Sequence, residues 1–116
     1  MKNILTDENF EKEITDLGTP KNKLILVDFF ATWCGPCTML GPMLEKIAEQ
    51  FKEEIILTKV DVDSFPKTSQ KFGVEKIPTV ILFEKGKPVN GFVGLLPEKT
   101  IKEWLENILK ETKKEK

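Results

Sequence analysis

Three observations place this chain in the α/β class. Leu24 to Phe30 is an apolar run interrupted only by Asp28, the pattern of a central strand covered on both faces. From Cys37 onward, Leu40, Met43, Leu44, Ile47, Ala48 and Phe51 recur at helical spacing. Ile55 to Val62 then reads as a second strand, and strand–helix–strand at this spacing implies a right-handed parallel crossover.

The remaining elements follow in chain order. Ile4-Leu5 is long enough only for a short edge strand. Thr6 or Asp7 offers an N-cap to a helix whose buried stripe is Phe10, Ile14 and Leu17, and Gly18 and Pro20 end it. The helix after Cys37 carries Pro42 in its interior, next to Gly41, and is expected to kink there because proline lacks an N–H and crowds the preceding turn. Ser64-Phe65-Pro66 opens a short helix that Gly73 closes, and Val74 to Ile77 leads to Pro78 at the head of a strand running from Thr79 to Phe83. Lys85-Gly86 suits a hairpin turn into an antiparallel strand from Val89 to Val93, with Pro88 near its start. Pro97 begins the last helix, on which Ile101, Trp104, Leu105, Ile108 and Leu109 form one apolar stripe. The domain is expected to span residues 1–109, with 110–116 as a frayed, lysine-rich end.

Both cysteines stand in Trp33-Cys34-Gly35-Pro36-Cys37, at the strand-to-helix turn. A thiolate attacks a disulfide where a thiol does not, and its pKa falls at a helix N-terminus, where free N–H groups and the helix dipole favour negative charge. Cys34 is the candidate for that position, its thiol pointing outward over the turn, with Cys37 one turn deeper and close enough to close a small ring. The inference is a reversible dithiol/disulfide pair. Two other readings compete with it. Zinc usually takes four ligands, and two thiols with no histidine would need a second chain or carboxylates to complete a site. An inert structural pair gives no reason for Gly-Pro between the cysteines or an aromatic residue before them.

Asp28 is the second marked residue. Strand alternation puts it on the face of Leu26 and Phe30, so a carboxylate enters the core just before the cysteines. Burial disfavours its charged form and would make it a proton carrier near neutral pH. The bland alternative is a buried acid satisfied by a hydrogen bond or a lysine, and the residues themselves favour neither. Lys59 falls in register to approach Asp28 if the two strands are neighbours, although a strand lysine is more often an edge or solvent residue. Pro78, by the general rarity of cis X–Pro bonds, reads as trans.

Composition narrows the function classes. With 18 basic and 19 acidic residues the formal net charge is −1, so no overall field favours nucleic acid or an anionic membrane. The N-terminal stretch lacks the apolar segment of a signal peptide, and no segment approaches the about 18 apolar residues of a membrane span. A reducing cytoplasm is the expected setting, in which so tight a cysteine motif reads as redox-active. Histidine and tyrosine are absent, which leaves proton transfer to carboxylates, lysines, thiols and water.

Taken together, Trp33-Cys34-Gly35-Pro36-Cys37, Asp28 behind it and Ile77-Pro78-Thr79 downstream resemble the thioredoxin family. Phe29-Phe30-Ala31-Thr32, Lys59-Val60-Asp61-Val62-Asp63, Phe72-Gly73-Val74, Leu82-Phe83-Glu84-Lys85-Gly86 and Val93-Gly94 extend the likeness in family order over nearly the whole chain. The resemblance implies a thioredoxin fold, with a central mixed five-stranded β-sheet flanked by four α-helices. It implies a thiol–disulfide oxidoreductase acting as a protein-disulfide reductase, with Cys34 as attacking thiolate, Cys37 as resolving thiol and Cys34–Cys37 as the redox-active disulfide. Asp28 would take the proton of Cys37, tuned by Lys59, and Pro78 would be cis beside the cysteines. The docking surface it implies is an apolar rim of Trp33, Gly35, Pro36, Val62, Ile77, Pro78, Val93 and Gly94.

No cofactor or metal is implied, and the partners are oxidised protein substrates and a thioredoxin reductase, with the chain a monomer. Phe30 stands where the family often has tryptophan, Thr38 where it often has lysine, and Lys76 where a small residue is common; these shift charge around the groove and bear on partner choice. An oxidant or isomerase on the same fold is the nearest rival, and its members usually carry histidine between the cysteines. A non-catalytic module bridging a metal between two chains is the other.

Overall fold

The computed structural model describes residues 3–17 and 23–114. Its elements are β1 (Asn3–Ile4), α1 (Phe10–Asp16), β2 (Leu24–Phe30), α2 (Gly35–Gln50), β3 (Ile55–Asp61), α3 (Pro66–Lys71), β4 (Thr79–Glu84), β5 (Lys87–Val93) and α4 (Glu98–Lys114). The strands form one mixed sheet in the order β1-β3-β2-β4-β5. Strand β3 runs parallel to both β1 and β2, and β4 runs antiparallel to both β2 and β5. Four strands have six or seven residues, whereas the fifth, β1, is a two-residue edge strand.

Alternation along β2 divides the core between the two sides of the sheet. Leu24 and Leu26 pack with Leu40, Leu44 and Ile47 of α2 and Ile101, Leu105 and Leu109 of α4. Ile25, Val27 and Phe29 face the other way, toward Phe10 and Ile14 of α1 and, beside α3, Phe65 and Phe72. Phe10, Phe72 and Phe83 meet there as a triangle of rings with centroids 5.1–5.6 Å apart. The result is helices on both faces of a sheet whose centre is β2, the strand that delivers Asp28 and leads into the cysteine motif.

Several local expectations are revised. The helical residues of α1 begin after Asn9, and the cap expected of Thr6 or Asp7 is made by Thr6 one turn ahead: its Oγ1 accepts the Asn9 N–H while the Thr6 N–H donates to Asn9 Oδ1, a reciprocal capping pair. Asp7 is drawn instead to α3, where its carboxylate accepts the backbone N–H groups of Lys67 and Thr68 and the Thr68 hydroxyl. Burial works against these bonds, but the bonds to Thr68 and Lys67 prevail and hold the Asp7 carboxyl below its usual range. Gly18 and Pro20, expected to end α1, lie outside the described residues. Helix α4 continues past the boundary set at residue 109 to Lys114, with Leu109 buried and the Thr112 hydroxyl bonded to the Ile108 carbonyl. Helix α2, by contrast, carries Pro42 in its interior as read from the sequence and continues to Gln50.

Lys85 and Gly86 have φ of 53° and 85°, the two positive values that a tight hairpin between twisted strands requires. Beyond that turn β5 is exposed at the sheet edge and approaches β4 closely at Gly91, where a Cβ would stand 2.7 Å from the Val80 carbonyl oxygen. Gly91→Ala is therefore expected to lower stability by roughly 1–3 kcal/mol through displacement of β5. Denaturant unfolding would measure it, and an unchanged midpoint would mean that the edge strand yields without cost.

Candidate active site

Cys34 is the N-cap of α2, in extended conformation, and its Sγ accepts the Cys37 N–H at 3.2 Å. The site thus has the backbone donor and helix dipole that lower a thiol pKa, and Pro36 sits in the first turn, where no helical N–H bond is lost. Cys34 and Cys37 are joined as a disulfide with Cα atoms 5.3 Å apart. The expectation that Cys34 points outward and Cys37 lies deeper is not met: each is 5% exposed, because closing the ring turns Cys34 Sγ back against the first turn of α2. Ala31, Phe30, Val62 and Ile77 pack around the pair.

The predicted rim is assembled from four places in the chain. Trp33 is 71% exposed, and its indole N–H donates to Asp63 Oδ2 at 2.6 Å, which ties the ring to the loop after β3. Gly35 and Pro36 are exposed beside it, and Val62 is drawn in by its N–H bond to the Phe30 carbonyl at 2.8 Å. The Ile77–Pro78 bond is cis, where the residues alone suggested trans and the family likeness suggested cis. Pro78 itself is buried, so it adds little apolar surface to the rim; its carbonyl accepts the Gly94 N–H at 2.7 Å, which brings the end of β5 alongside. Val93, in turn, is 57% exposed.

Behind the disulfide, Asp28 is 1% exposed, and its Oδ1 has no hydrogen-bond partner among the described residues. Asp28 and Lys59 are register partners on β2 and β3, as alternation allowed. A cavity of about 410 Å³ is lined by Asp28, Cys37, Lys59, Glu45 and Phe30, among others, so the carboxylate and the resolving-position sulfur share one space. Burial raises the Asp28 carboxyl to about 6, with the Lys59 charge pulling the other way.

Two contributors escaped the sequence reading. Asp63 gave no signal, since its partner Trp33 lies thirty residues away on another element. Glu45 could have been found: Cys37, Gly41 and Glu45 follow at intervals of four on α2, the spacing that aligns side chains on one helix face. Its Oε2 lies 3.5 Å from Lys59 Nζ. Among the described residues no cluster of three or more cysteine and acid side chains is arranged to hold a metal ion, and no helix is long and apolar enough to cross a membrane.

Comparison with known proteins gives the same answer from a different direction. The sequence model of one protein family, described as Thioredoxin, matches residues 1–107. The chain is 41% identical over 105 residues to the thioredoxin of Alicyclobacillus acidocaldarius, a match spanning 90% of this chain and 95% of that protein. It is 43% identical over 96 residues to the thioredoxin of Chlorobaculum thiosulfatiphilum, covering 83% and 85% of the two chains. Thioredoxin 2 of Chlorobaculum tepidum is 42% identical over 101 residues, covering 87% of this chain and 89% of that protein. A capped, closed Cys34–Cys37 pair on a sheet of this order, within a chain alike to these proteins nearly end to end, is not a shared motif on an unrelated fold; the chain belongs to the thioredoxin family of thiol–disulfide oxidoreductases.

Proposed function

We propose that this protein reduces disulfides in other proteins, with Cys34 as the attacking group. The observation that carries this reading is the position of Cys34 Sγ at the N-terminus of α2, where the Cys37 N–H already points at it. In the reduced protein the Cys34 thiolate attacks one sulfur of a partner disulfide, forming a mixed disulfide and releasing the partner's other sulfur as thiolate. Cys37 then loses its proton to the Asp28 carboxylate, attacks Cys34 Sγ and expels the second partner thiolate. Two electrons have passed to the partner, and Cys34–Cys37 is left oxidised. Asp28 suits the task because it lines the same cavity as Cys37 and its carboxyl is raised by burial to about 6, close enough to neutrality to gain and lose a proton there.

The partner docks across Trp33, Gly35, Pro36, Val62, Ile77, Val93 and Gly94, its backbone pairing with the chain just before Pro78. Lys76 and Glu75 on the approach and Asp63 under Trp33 give that surface both signs of charge, which selects among partners more than it sets affinity. Oxidised proteins are the substrates, a thioredoxin reductase returns the electrons, and the protein works as a monomer in a reducing cytoplasm.

The reduction potential of the Cys34–Cys37 pair tests the direction of electron flow. Equilibrated against graded dithiol buffers with the free thiols trapped, it is expected below the potential of the cytosolic glutathione pool, where each ~30 mV represents ~1.4 kcal/mol. A potential near that of the disulfide isomerases would make the protein a donor of oxidising equivalents and end the reductase reading.

A further inference from the structure

Asp28 and Lys59 leave the sheet on the same face, as register partners on adjacent parallel strands. Asp28 Oδ1 nevertheless has no hydrogen-bond partner among the described residues, and the Lys59 ammonium lies 3.5 Å from Glu45 Oε2 and 5.8 Å from the centre of the Phe30 ring. Residue 41 borders the ammonium: a Cβ there would stand 3.4 Å from Lys59 Nζ, at van der Waals contact. Gly41 is buried in the interior of α2, where only proline is a poorer helix former. The face of α2 that brings Cys37 into the Asp28 cavity thus also borders Lys59 at Gly41 and, one turn on, supplies the carboxylate that holds it.

We propose that Glu45 is a positioning residue for the resolving step, holding the Lys59 ammonium toward the mouth of the cavity and out of a direct ion pair with Asp28, so that Asp28 stays a strong enough base for Cys37. The proposal rests on the reading of Asp28 as proton acceptor given above. A carboxylate in direct contact with an ammonium gives up proton affinity, and one with no cation nearby stays protonated and accepts nothing. Lys59 held at Glu45 lies between these limits. The charged or titratable groups facing Asp28 are Lys59 from β3 and Cys37 and Glu45 from α2, whereas β4 presents Val80, its uncharged register partner. Burial and the Lys59 charge act on Asp28 in opposite senses, burial prevailing, as this placement requires. When Asp28 takes the Cys37 proton it loses its pull on Lys59, and Glu45 retains the ammonium.

The test compares the wild-type protein, Glu45→Gln, Lys59→Met and the double variant, following the Asp28 side-chain carboxyl by carbon NMR across pH in the reduced protein. Single-turnover resolution of a mixed disulfide is measured over the same range. Glu45 is nearly half exposed, and methionine preserves the Lys59 stem, so the variants keep the packing. Glu45→Gln is expected to lower the Asp28 midpoint by about one pH unit, as an ammonium released to a carboxylate does, and to move the kinetic profile to lower pH with a reduced plateau. In the Lys59→Met background the same substitution is expected to leave the midpoint in place. No shift on Glu45→Gln, or the same shift with and without Lys59, would overturn the proposal. Asp28→Asn, measured alongside, separates the two layers: an unchanged resolution rate there removes the base assignment and the kinetic part of the proposal with it, while the NMR midpoints still decide whether Glu45 governs Lys59.

Discussion

Cys37→Ser is expected to stop the reaction at the mixed disulfide, so that partner proteins accumulate covalently bound to Cys34 and multiple turnover is lost. The reason is the division of labour between backbone and side chain at residue 37. The group that supports the Cys34 sulfur is the residue 37 N–H, 3.2 Å away, and serine keeps it. The group that would expel the partner is the residue 37 thiol, and a hydroxyl does not attack a disulfide at neutral pH because so little of it is ionised. First attack should therefore proceed at close to the wild-type rate while release vanishes. Cys34→Ser, in contrast, should form no adduct. Non-reducing electrophoresis and intact mass after incubation with an oxidised protein distinguish these outcomes. Adducts on Cys34→Ser but not on Cys37→Ser would reverse the assigned roles.

Asp28→Asn is expected to make the protein more stable and less active. Folding raises the Asp28 carboxyl from 3.8 to about 6, chiefly through burial, so the folded chain binds this proton more tightly than the unfolded chain. Stability contributed by the group is therefore largest at acid pH, where both states are protonated, and falls as pH rises through the interval from 3.8 to about 6. Above that interval the full penalty of a buried charge remains, on the order of 3 kcal/mol for a carboxyl raised by about two pH units. An uncharged amide escapes it, so the substitution should stabilise the protein by up to about 3 kcal/mol at pH 7–8 and by little near pH 3.5. Urea unfolding of the oxidised protein at the two pH values measures the difference, and a gain independent of pH would show that the ionisation of Asp28 is not its source. Loss of the base should slow resolution of a preformed mixed disulfide by about 100-fold or more while leaving the first attack nearly unchanged. Equal slowing of both steps would refute the proton-acceptor role.

These two residues also mark what could be read in advance and what could not. A disulfide ring between Cys34 and Cys37 involves one turn of chain, so the motif implied it before any tertiary contact was known. The burial of Asp28 followed from its place in a run covered on both faces, its side from the alternation of β2, and the apolar stripes of α2 and α4 from the 3.6-residue period, because periodicity encodes which face a side chain takes. Periodicity does not encode which neighbour that face meets. Alternation allowed Lys59 to approach Asp28, but only the pairing of β2 with β3 made them register partners. Only the docking of α2 on the sheet set Glu45 beside the same lysine. Asp7 shows the limit from the other side: its residue type announced a helix cap correctly, and the nearest helix was the natural assignment, yet the fold brings the start of α3 close enough to claim it. The bond from Trp33 to Asp63 and that from the Gly94 N–H to the Pro78 carbonyl have the same origin. From sequence alone came the class, the faces and the reactive pair, each set by short-range period and local chain geometry. The surroundings that tune that pair were decided by tertiary structure, because they depend on strand order and helix docking between segments far apart in the chain, where closing the long loops is repaid only by the packed core as a whole.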